Sequence, residues 1–417
     1  MKILNFAEAN HACTYYRNLL PSQFMARDGI FNIVIEVNWK YSDNKSKEVL
    51  RNIARQVDVI RFSRFGDWIE LIKYANKHKI PTIYGTDDYF ILGRENQFNI
   101  VAQKENWAEQ CKKSATLCNG VLVSTEALRE AYLQYNNYVY VLPNMLDFEQ
   151  KQWHQPKRKP DGKIIVGYYG SPTHAYDLLK INSVIAGLMY EYPNLEFHYG
   201  AMPLKTMYKK DGKYQSQKLI GIFQKENRGK KDFEVVEKPD DPIYKLYCDI
   251  SQNMPQERVK FLDWRSINDY GGVYANFDIA IAPLNNTPIN YYKSNLKILE
   301  AGAYYLPVVC SAIRPFVETI AHGVDGFIAQ DTSQFGNYLE ELINSPKLRH
   351  SLGRALGEKV RINYNIRTQY RRWIYCIDAI VRNAQNKKII SIQPVKQTWK
   401  KKLGRKIKHA FSKNYKA

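Results

Sequence analysis

Residues suited to recognising phosphate and hydroxyl groups concentrate in the second half of the sequence. In the stretch GYYGSPTH, an apolar run ends at Gly170, Ser171, Thr173 and His174. The glycine permits close approach of the backbone to a ligand, the hydroxyls donate hydrogen bonds, and the imidazole adds a donor or, when protonated, a positive charge. These residue types suit an anion, the alternative being a tight turn followed by a helix cap.

A parallel sheet is needed to position such residues, because its strand ends meet helix N-termini at one edge. Apolar, β-rich runs alternate with helical-period segments in both halves of the chain, which predicts an α/β fold with two Rossmann-like, doubly wound domains. We expect strands at Ile3–Phe6, Ile33–Val37, Val57–Phe62, Thr82–Tyr84, Val121–Val123, Tyr138–Leu142, Ile164–Tyr169, Leu195–Tyr199, Val259–Leu262, Ile279–Ala282 and Val308–Cys310. Helices are expected at Glu70–Lys77, Asn99–Lys113, Tyr176–Met189, Asn268–Ala275, Leu296–Gly302 and Tyr370–Val381.

The length of 417 residues exceeds one ordinary core, so two domains are expected. A polar stretch with two prolines, QWHQPKRKPDGK, interrupts the periodicity and predicts the linker between them. Nine basic and three acidic residues between Ala201 and Asp232 predict an exposed insertion. The predicted units are an N-terminal domain 1–152, the linker 153–163, a C-terminal domain 164–368 with an insertion at about 201–250, a helix 369–390 that crosses back to the first domain, and a tail 391–417.

The stretch KSNLKILEAGAYYLPVVCSAIRPFVETIAHGVDGFIA, residues 293–329, has a specific order of features. A helix entered at Ser294 carries Glu300, a Pro-Val-Val strand follows, and a glutamate in the next helix precedes a His-Gly-Val-Asp-Gly-Phe turn. This order resembles the signature of retaining glycosyltransferases of the fourth sequence family, the glycosyl transferases group 1. GYYGSPTHAYDL together with YYKSNLKILEAG is similar to a divergent bacterial and phage branch. The resemblance implies a GT-B fold, with two Rossmann-like domains facing each other across a cleft.

The resemblance also implies which residues hold the donor. Glu300 is expected to accept hydrogen bonds from both ribose hydroxyls of a nucleotide, the alternative being an exposed helix carboxylate. The other expected donor-binding residues are Gly170, Ser171, Thr173, Ser294, Asn295 and Leu296. The C-terminal domain is therefore predicted to bind a nucleotide sugar, and the N-terminal domain the acceptor.

Two departures from the family pattern affect the chemistry. Relatives carry a second glutamate eight positions before the ribose-binding one, beside the transferred sugar, and here that position is Tyr292. Relatives also clamp the diphosphate with an Arg and a Lys, whereas the turn after the first strand of this domain offers only His174. We expect Arg265, Lys293 or Lys297 to supply the missing charge, unless these are ordinary exposed cations.

On the acceptor side, the candidates are His11, Arg17 and Asp87. The first two lie in EANHACTYYRNLLP, which replaces the glycine-rich opening loop of relatives, and are expected to face the cleft; a hydrogen-bonded loop histidine is the alternative for His11. Asp87 and Asp88 form an acidic pair that suits Mg²⁺ or Mn²⁺. Because GT-B enzymes generally lack a metal motif, and because N-capping explains the pair equally, we expect no metal and no cofactor.

The net charge of +20 indicates an anionic partner. The tail carries nine Lys and Arg and no acidic residue, and its Trp399, Leu403, Ile407 and Phe411 recur every four residues. This pattern predicts a basic amphipathic helix on an anionic membrane surface, the alternative being a solvated tail. The six cysteines show no metal spacing and no apolar run reaches eighteen residues, which favours a cytoplasmic protein, soluble or peripheral on the inner face of the membrane.

The sequence therefore predicts a glycosyltransferase that moves a sugar from a nucleotide-sugar donor to a glycan, a lipid-linked acceptor or a cell-envelope polymer. Retention of the anomeric configuration is implied by the resemblance alone. One alternative is a catalytically silent GT-B protein that binds nucleotide sugar or glycan as a partner. Another is a nucleic-acid-binding protein, but only the charge favours it, and we expect no nucleic-acid partner.

Overall fold

The structure is a computed structural model that describes residues 1–7, 12–36, 44–64, 68–91, 106–171, 174–201, 208–210, 213–215, 234–235 and 249–386. The predicted site residues His11 and Thr173, the tail 391–417 and most of the predicted insertion lie outside these residues. Within the described ranges, no helix combines the length and the apolar character needed to cross a membrane.

The first half of the chain forms a six-stranded sheet in which all strands are parallel. The strands are β1 (Lys2–Ala7), β2 (Phe31–Glu36), β3 (Val59–Ser63), β4 (Thr82–Thr86), β5 (Gly120–Val123) and β6 (Val139–Val141). Their order in the sheet is β2-β1-β3-β4-β5-β6. The residues of β3, β4 and β5 are buried throughout, because helices cover both faces of a parallel sheet.

The second half forms another six-stranded parallel sheet, which the sequence predicts apart from its last strand. Its strands are β7 (Ile164–Tyr169), β8 (Leu195–Gly200), β12 (Val259–Leu262), β13 (Ile279–Ala282), β14 (Val308–Ser311) and β15 (Phe327–Ala329), and a small antiparallel sheet comprises β9 (Tyr208–Lys210), β10 (Lys213–Gln215) and β11 (Glu234–Val235). The order of the large sheet is β12-β8-β7-β13-β14-β15. Two Rossmann-like sheets confirm the predicted α/β architecture.

The α-helices in chain order are α1 (Ala12–Thr14), α2 (Leu20–Met25), α3 (Asn44–Ala54), α4 (Ile69–Lys77), α5 (Trp107–Leu117), α6 (Glu126–Tyr132), α7 (Ala175–Leu179), α8 (Asn182–Glu191), α9 (Leu296–Ala303), α10 (Arg314–Val317), α11 (Thr332–Asn344), α12 (Pro346–Asn363), α13 (Ile366–Gln369) and α14 (Arg371–Asn386). A π-helical turn, Tyr15–Leu19, joins α1 to α2.

Two predicted helices differ from the structure. The prediction of one helix over 176–189 is wrong, because the chain breaks at Lys180 and Ile181 into α7 and α8. The helix predicted over 268–275 is present at Tyr270–Asn276, but as a 3₁₀-helix rather than an α-helix. That segment begins YGG, and paired glycines disfavour a regular α-helix.

The last described helix, α14, returns to the first domain. Its Trp373, Ile377 and Ile380 belong to the same buried cluster as Ile3 of β1 and Leu122 of β5. Asp28 of the first domain accepts hydrogen bonds from Tyr370 Oη at 2.7 Å and from Arg371 Nε at 2.9 Å. The core of the N-terminal domain therefore includes side chains from the end of the chain.

Candidate active site

The N-terminus of α9 forms the centre of the candidate site. Asn295 precedes the helix, but its side chain does not cap it; its Nδ2 instead donates to Thr319 Oγ1 at 3.0 Å. Lys293 and Ser294, just before the helix, are partly exposed, as are Leu296 and Lys297 in its first turn. An uncapped first turn leaves amide groups free to bind an anion, and the helix dipole favours negative charge there.

Glu300 lies on the first turns of α9 and is fully buried. Its Oε2 accepts hydrogen bonds from Tyr274 Oη at 2.7 Å and from Lys297 Nζ at 3.0 Å. Its Oε1 has no hydrogen-bond partner within the described part of the chain. Burial raises the pKa of the Glu300 carboxyl, and Lys297 and Tyr274 offset only part of that rise. A buried acceptor without a partner suits a ligand hydroxyl.

Gly170 directly follows β7 and lies beside Lys297. A Cβ atom at position 170 would lie 2.8 Å from Lys297 Cε and 2.6 Å from Tyr168 Oη, so only glycine fits without displacing one of them. Lys297 Nζ also donates to Tyr270 Oη at 2.6 Å. The structure thus brings three predicted residues, Gly170, Lys297 and Glu300, into one cluster, and places the predicted Ser171 in an exposed position next to it.

His174 forms a pair with Asp177, a residue that the sequence did not single out. His174 Nδ1 lies 2.8 Å from Asp177 Oδ2, and Asp177 Oδ1 accepts from the backbone amide of Asn285 at 2.7 Å and from Asn290 Nδ2 at 3.2 Å. Burial lowers the pKa of His174, and the bond to Asp177 offsets this only in part. In the neutral imidazole Nδ1 donates to Asp177, so Nε2 is an acceptor rather than the expected donor.

Lys293 reaches across the cleft to the first domain. Its Nζ donates to Asp88 Oδ1 at 2.9 Å, and Arg64 Nη2 donates to Asp88 Oδ2 at 3.2 Å. Burial would raise the pKa of the Asp88 carboxyl, but the two cations outweigh burial and hold that pKa below its usual value. Two cations therefore neutralise this carboxylate, which the sequence interpretation passed over in favour of its neighbour Asp87.

Tyr292 occupies the position of the missing glutamate. Its ring lies 4.6 Å from that of Tyr89, measured between centroids, so the two domains touch here through aromatic rings as well as through Lys293 and Asp88. A third contact between the domains joins Glu130 to Arg314, whose Nη1 and Nη2 each donate to one carboxylate oxygen at 2.8 Å.

The cluster of Cys13, Asp87 and Asp88 has ligand atoms within 4.8 Å of one another. Arg64 lies 3.2 Å from Asp88 and 3.8 Å from Asp87, and Lys293 also binds Asp88. Burial raises the pKa of the Cys13 thiol well above its usual value, which favours the neutral form. The carboxylates of this cluster are already balanced by two cations, and its thiol is neutral. Such a set of groups binds a divalent metal ion poorly.

Within the described residues, neither Arg17 nor Arg265 hydrogen-bonds to Asp88 or Glu300. Arg17 is buried, donates to the backbone oxygen of Leu142, and lies over the Trp373 ring at 4.8 Å, so it does not reach open cleft as expected. Arg61 lies over the same ring at 4.7 Å. Arg265 is exposed beyond β12, with one Nη atom near Gly272 rather than near Lys293.

Residues 237–345 match the family model described as glycosyl transferases group 1. This chain carries a group 1 glycosyltransferase domain. The match includes Glu300 and the start of α9, and it confirms the predicted resemblance to glycosyl transferases group 1. The protein is thus a transferase enzyme. Among curated proteins, none matches this glycosyltransferase.

Solved structures resemble the glycosyltransferase over nearly its whole length. HepE from Anabaena in complex with UDP is 14% identical, has a TM-score of 0.62, and is matched over 91% of this chain and 100% of that chain. A glycosyltransferase from Rickettsia africae is 12% identical with a TM-score of 0.61, over 92% and 99% of the two chains. Sucrose-phosphate synthase from Thermosynechococcus elongatus is 13% identical with a TM-score of 0.59, over the same shares. These similarities confirm the GT-B fold.

Proposed function

We propose that this glycosyltransferase takes its sugar from a nucleotide sugar held by the C-terminal domain and transfers it to an acceptor held by the N-terminal domain. The observation that carries the proposal is the α9 N-terminus with Lys293 and Lys297 beside it and the unpartnered Oε1 of Glu300 one turn further on. The amides and ammonium groups suit a diphosphate, and the carboxylate oxygen suits ribose. HepE was solved with UDP and with UDP-glucose, which supports a UDP-sugar as the first donor to test.

In the proposed reaction the bond between the anomeric carbon and the β-phosphate oxygen breaks, and a bond from the acceptor oxygen to that carbon forms. The nucleoside diphosphate leaves, and its terminal phosphate takes the proton of the acceptor hydroxyl. Lys293, Lys297 and the helix amides stabilise the charge that develops on the leaving group. His174 Nε2 accepts a hydrogen bond from a hydroxyl of the bound substrate. Closure of the domains excludes water from the reacting atoms.

We propose retention of the anomeric configuration, which the resemblance to retaining glycosyltransferases implies, and we propose that the reaction needs no metal. The anomeric configuration of the product, read by NMR from the proton coupling constant, tests the first proposal; inversion contradicts it. Activity that persists in excess EDTA supports the second, and activity that requires added Mg²⁺ or Mn²⁺ contradicts it.

The acceptor is proposed to be a glycan, a lipid-linked acceptor or a cell-envelope polymer, with the basic tail 391–417 holding the enzyme at an anionic membrane. Sedimentation of the full chain with phosphatidylglycerol vesicles, compared with a chain ending at residue 390, tests the tail. We expect the full chain to sediment and the shortened chain to remain in solution. Equal sedimentation of both contradicts a role for the tail.

The decisive experiment measures nucleotide release by mass spectrometry from UDP-, GDP- and dTDP-sugars, with and without a panel of lipid-linked and glycan acceptors. We expect one donor to be consumed by the wild type and not by Glu300→Ala. Glu358→Ala is the matched control, because it removes an exposed helix carboxylate of the same domain that pairs only with Arg354 in the described structure. Equal activity of wild type and Glu300→Ala contradicts the assignment.

One observation favours a second candidate, a catalytically silent protein that binds nucleotide sugar. Tyr292 stands where relatives carry a carboxylate beside the sugar, and its ring packs on Tyr89. Nucleotide-sugar binding without release of nucleotide, under any acceptor of the panel, supports this candidate. Release of nucleotide in step with formation of a glycosylated product excludes it.

A further inference from the structure

Asp88 is held in a fixed position at the edge of the first domain. It follows β4, where Thr86 Oγ1 donates to the backbone oxygen of Asp88 at 2.8 Å and accepts from its amide at 3.3 Å. Its side chain is 12% exposed and lies between Arg64 of its own domain and Lys293 of the other. The carboxylate is therefore presented to the C-terminal domain by a rigid turn.

The backbone of Lys293 is fixed as well, so only its side chain is free to change direction. The Lys293 amide donates to Asn290 O at 3.2 Å. The side chain of Asn290 is itself held, because its Nδ2 donates to Asp177 Oδ1 at 3.2 Å. The ammonium group is on a flexible four-carbon stem immediately before the uncapped N-terminus of α9. It can bind Asp88, as observed, or an anion at the helix end, but a single ammonium cannot fully neutralise both.

We propose that Asp88 is a positioning residue that competes with the donor diphosphate for Lys293. The proposal rests on the function proposed above. In the free enzyme, Asp88 holds the ammonium across the cleft; on donor binding, Lys293 turns to the diphosphate and Asp88 keeps Arg64 as its partner. After transfer, Asp88 recaptures Lys293 and thereby weakens the hold on the nucleotide product. The carboxylate thus links occupancy of the donor site to the contact between the domains.

The competition has an unusual consequence, because removal of the carboxylate strengthens binding. Asp88→Asn keeps the size of the side chain and removes the negative charge that holds the Lys293 ammonium. We expect its affinity for UDP to rise on the order of fivefold, since Lys293 no longer has to leave an ion pair with Asp88 before it binds the diphosphate. If Asp88 had a purely structural role, its replacement would instead lower the affinity of the protein for UDP.

The test is isothermal titration of the full-length protein with UDP, GDP and dTDP. We expect Asp88→Asn to bind the preferred nucleotide more tightly than the wild type, Lys293→Met to bind it more weakly, and the double variant to match Lys293→Met, because Asp88 acts only through that lysine. Asp88→Ser removes the same charge and serves if the asparagine variant does not fold. Equal or weaker binding by the charge-removing variant overturns the proposal.

Glu130→Gln is the matched control, because it breaks a different ion pair between the domains, Glu130 with Arg314, and leaves Lys293 untouched. We expect its nucleotide affinity to equal that of the wild type. A gain in this control as large as that of Asp88→Asn would assign the effect to loosened domains and overturn the proposal. If the wild type binds none of the three nucleotides, the proposed function itself is wrong. If the wild type binds a nucleotide and Asp88→Asn binds it no more tightly, only the competition for Lys293 is wrong.

Discussion

Glu300 Oε2 accepts a hydrogen bond from Lys297 Nζ at 3.0 Å. This bond links the carboxylate proposed to bind ribose to an ammonium group proposed to bind the diphosphate, one turn apart on α9. A nucleotide that binds at this helix end therefore meets two groups that already stabilise each other. Binding has to exchange part of that internal pairing for contacts with the ligand.

The first prediction concerns Glu300→Gln. We expect nucleotide affinity to fall about tenfold or more, the worth of a hydrogen bond to a charged group. Because burial raises the pKa of Glu300, its ionisation destabilises the folded state, so the variant is expected to unfold at no lower temperature than the wild type at pH 7. The difference in unfolding temperature should shrink as the pH falls, and should be lost below about 4.3, where the carboxyl is increasingly protonated in both states. Calorimetry across this pH range is the measurement, and a marked loss of stability at pH 7 contradicts it.

The second prediction concerns Asp177→Asn. Asp177 raises the pKa of His174, so its neutralisation should lower that pKa further below the usual value. The acid limb of kcat/KM is then expected to move to lower pH, while kcat at neutral pH falls about tenfold because the tautomer of His174 is no longer fixed. A pH–rate profile of both proteins is the measurement. An acid limb that stays in place, or moves to higher pH, contradicts the role of Asp177.

The third prediction compares two glycines of the same domain. Gly170→Ala places a methyl group against Lys297 and Tyr168, and we expect a loss of about 1–3 kcal/mol in stability together with weaker nucleotide binding. Gly187 lies exposed on α8, and no heavy atom stands within 4 Å of the place that a methyl group would take, so Gly187→Ala should gain about 0.5–1 kcal/mol. Urea unfolding measures both. Equal behaviour of the two variants contradicts the close packing at Gly170.

The fourth prediction concerns Arg61, which is fully buried and whose guanidinium nitrogens have no hydrogen-bond partner in the described structure. Burial, with Arg17 close by, holds the pKa of Arg61 well below its ordinary value. We expect Arg61→Met to raise the free energy of unfolding by about 1 kcal/mol or more, since an apolar residue of similar volume removes an uncompensated charge. Arg17→Met, which also breaks the bond to Leu142 O, should gain less. Destabilisation by Arg61→Met in urea contradicts this account.

The sequence predicts the two sheets well, because buried parallel strands appear as apolar runs with helices between them. β7, β12 and β13 begin and end at the predicted residues. β15 was missed because its three residues follow a glycine-rich turn and are too few to show a period. The break between α7 and α8 has no proline or glycine to mark it, so helical periodicity continued through it.

The site is predicted only in part. The fold brings together the strand and helix ends near which Gly170, Lys297 and Glu300 lie. Local sequence pattern is therefore enough to predict where these three residues are. Asp88 and Lys293 are 205 residues apart, and no local pattern reports a contact of that range. Asp177 follows His174 by three residues, a spacing that puts both on one side of a helical turn, and this was the signal available for finding it.

The return of α14 to the first domain also constrains the order in which this chain becomes stable during synthesis. Trp373 and Ile380 fill the N-terminal core, and Ile380 packs where a side chain at Gly120 would otherwise stand. A ribosome has therefore made more than 370 residues before the first domain acquires these side chains. Until then the apolar surface that these side chains cover stays exposed, so the first domain completes its core only after the second has been synthesised.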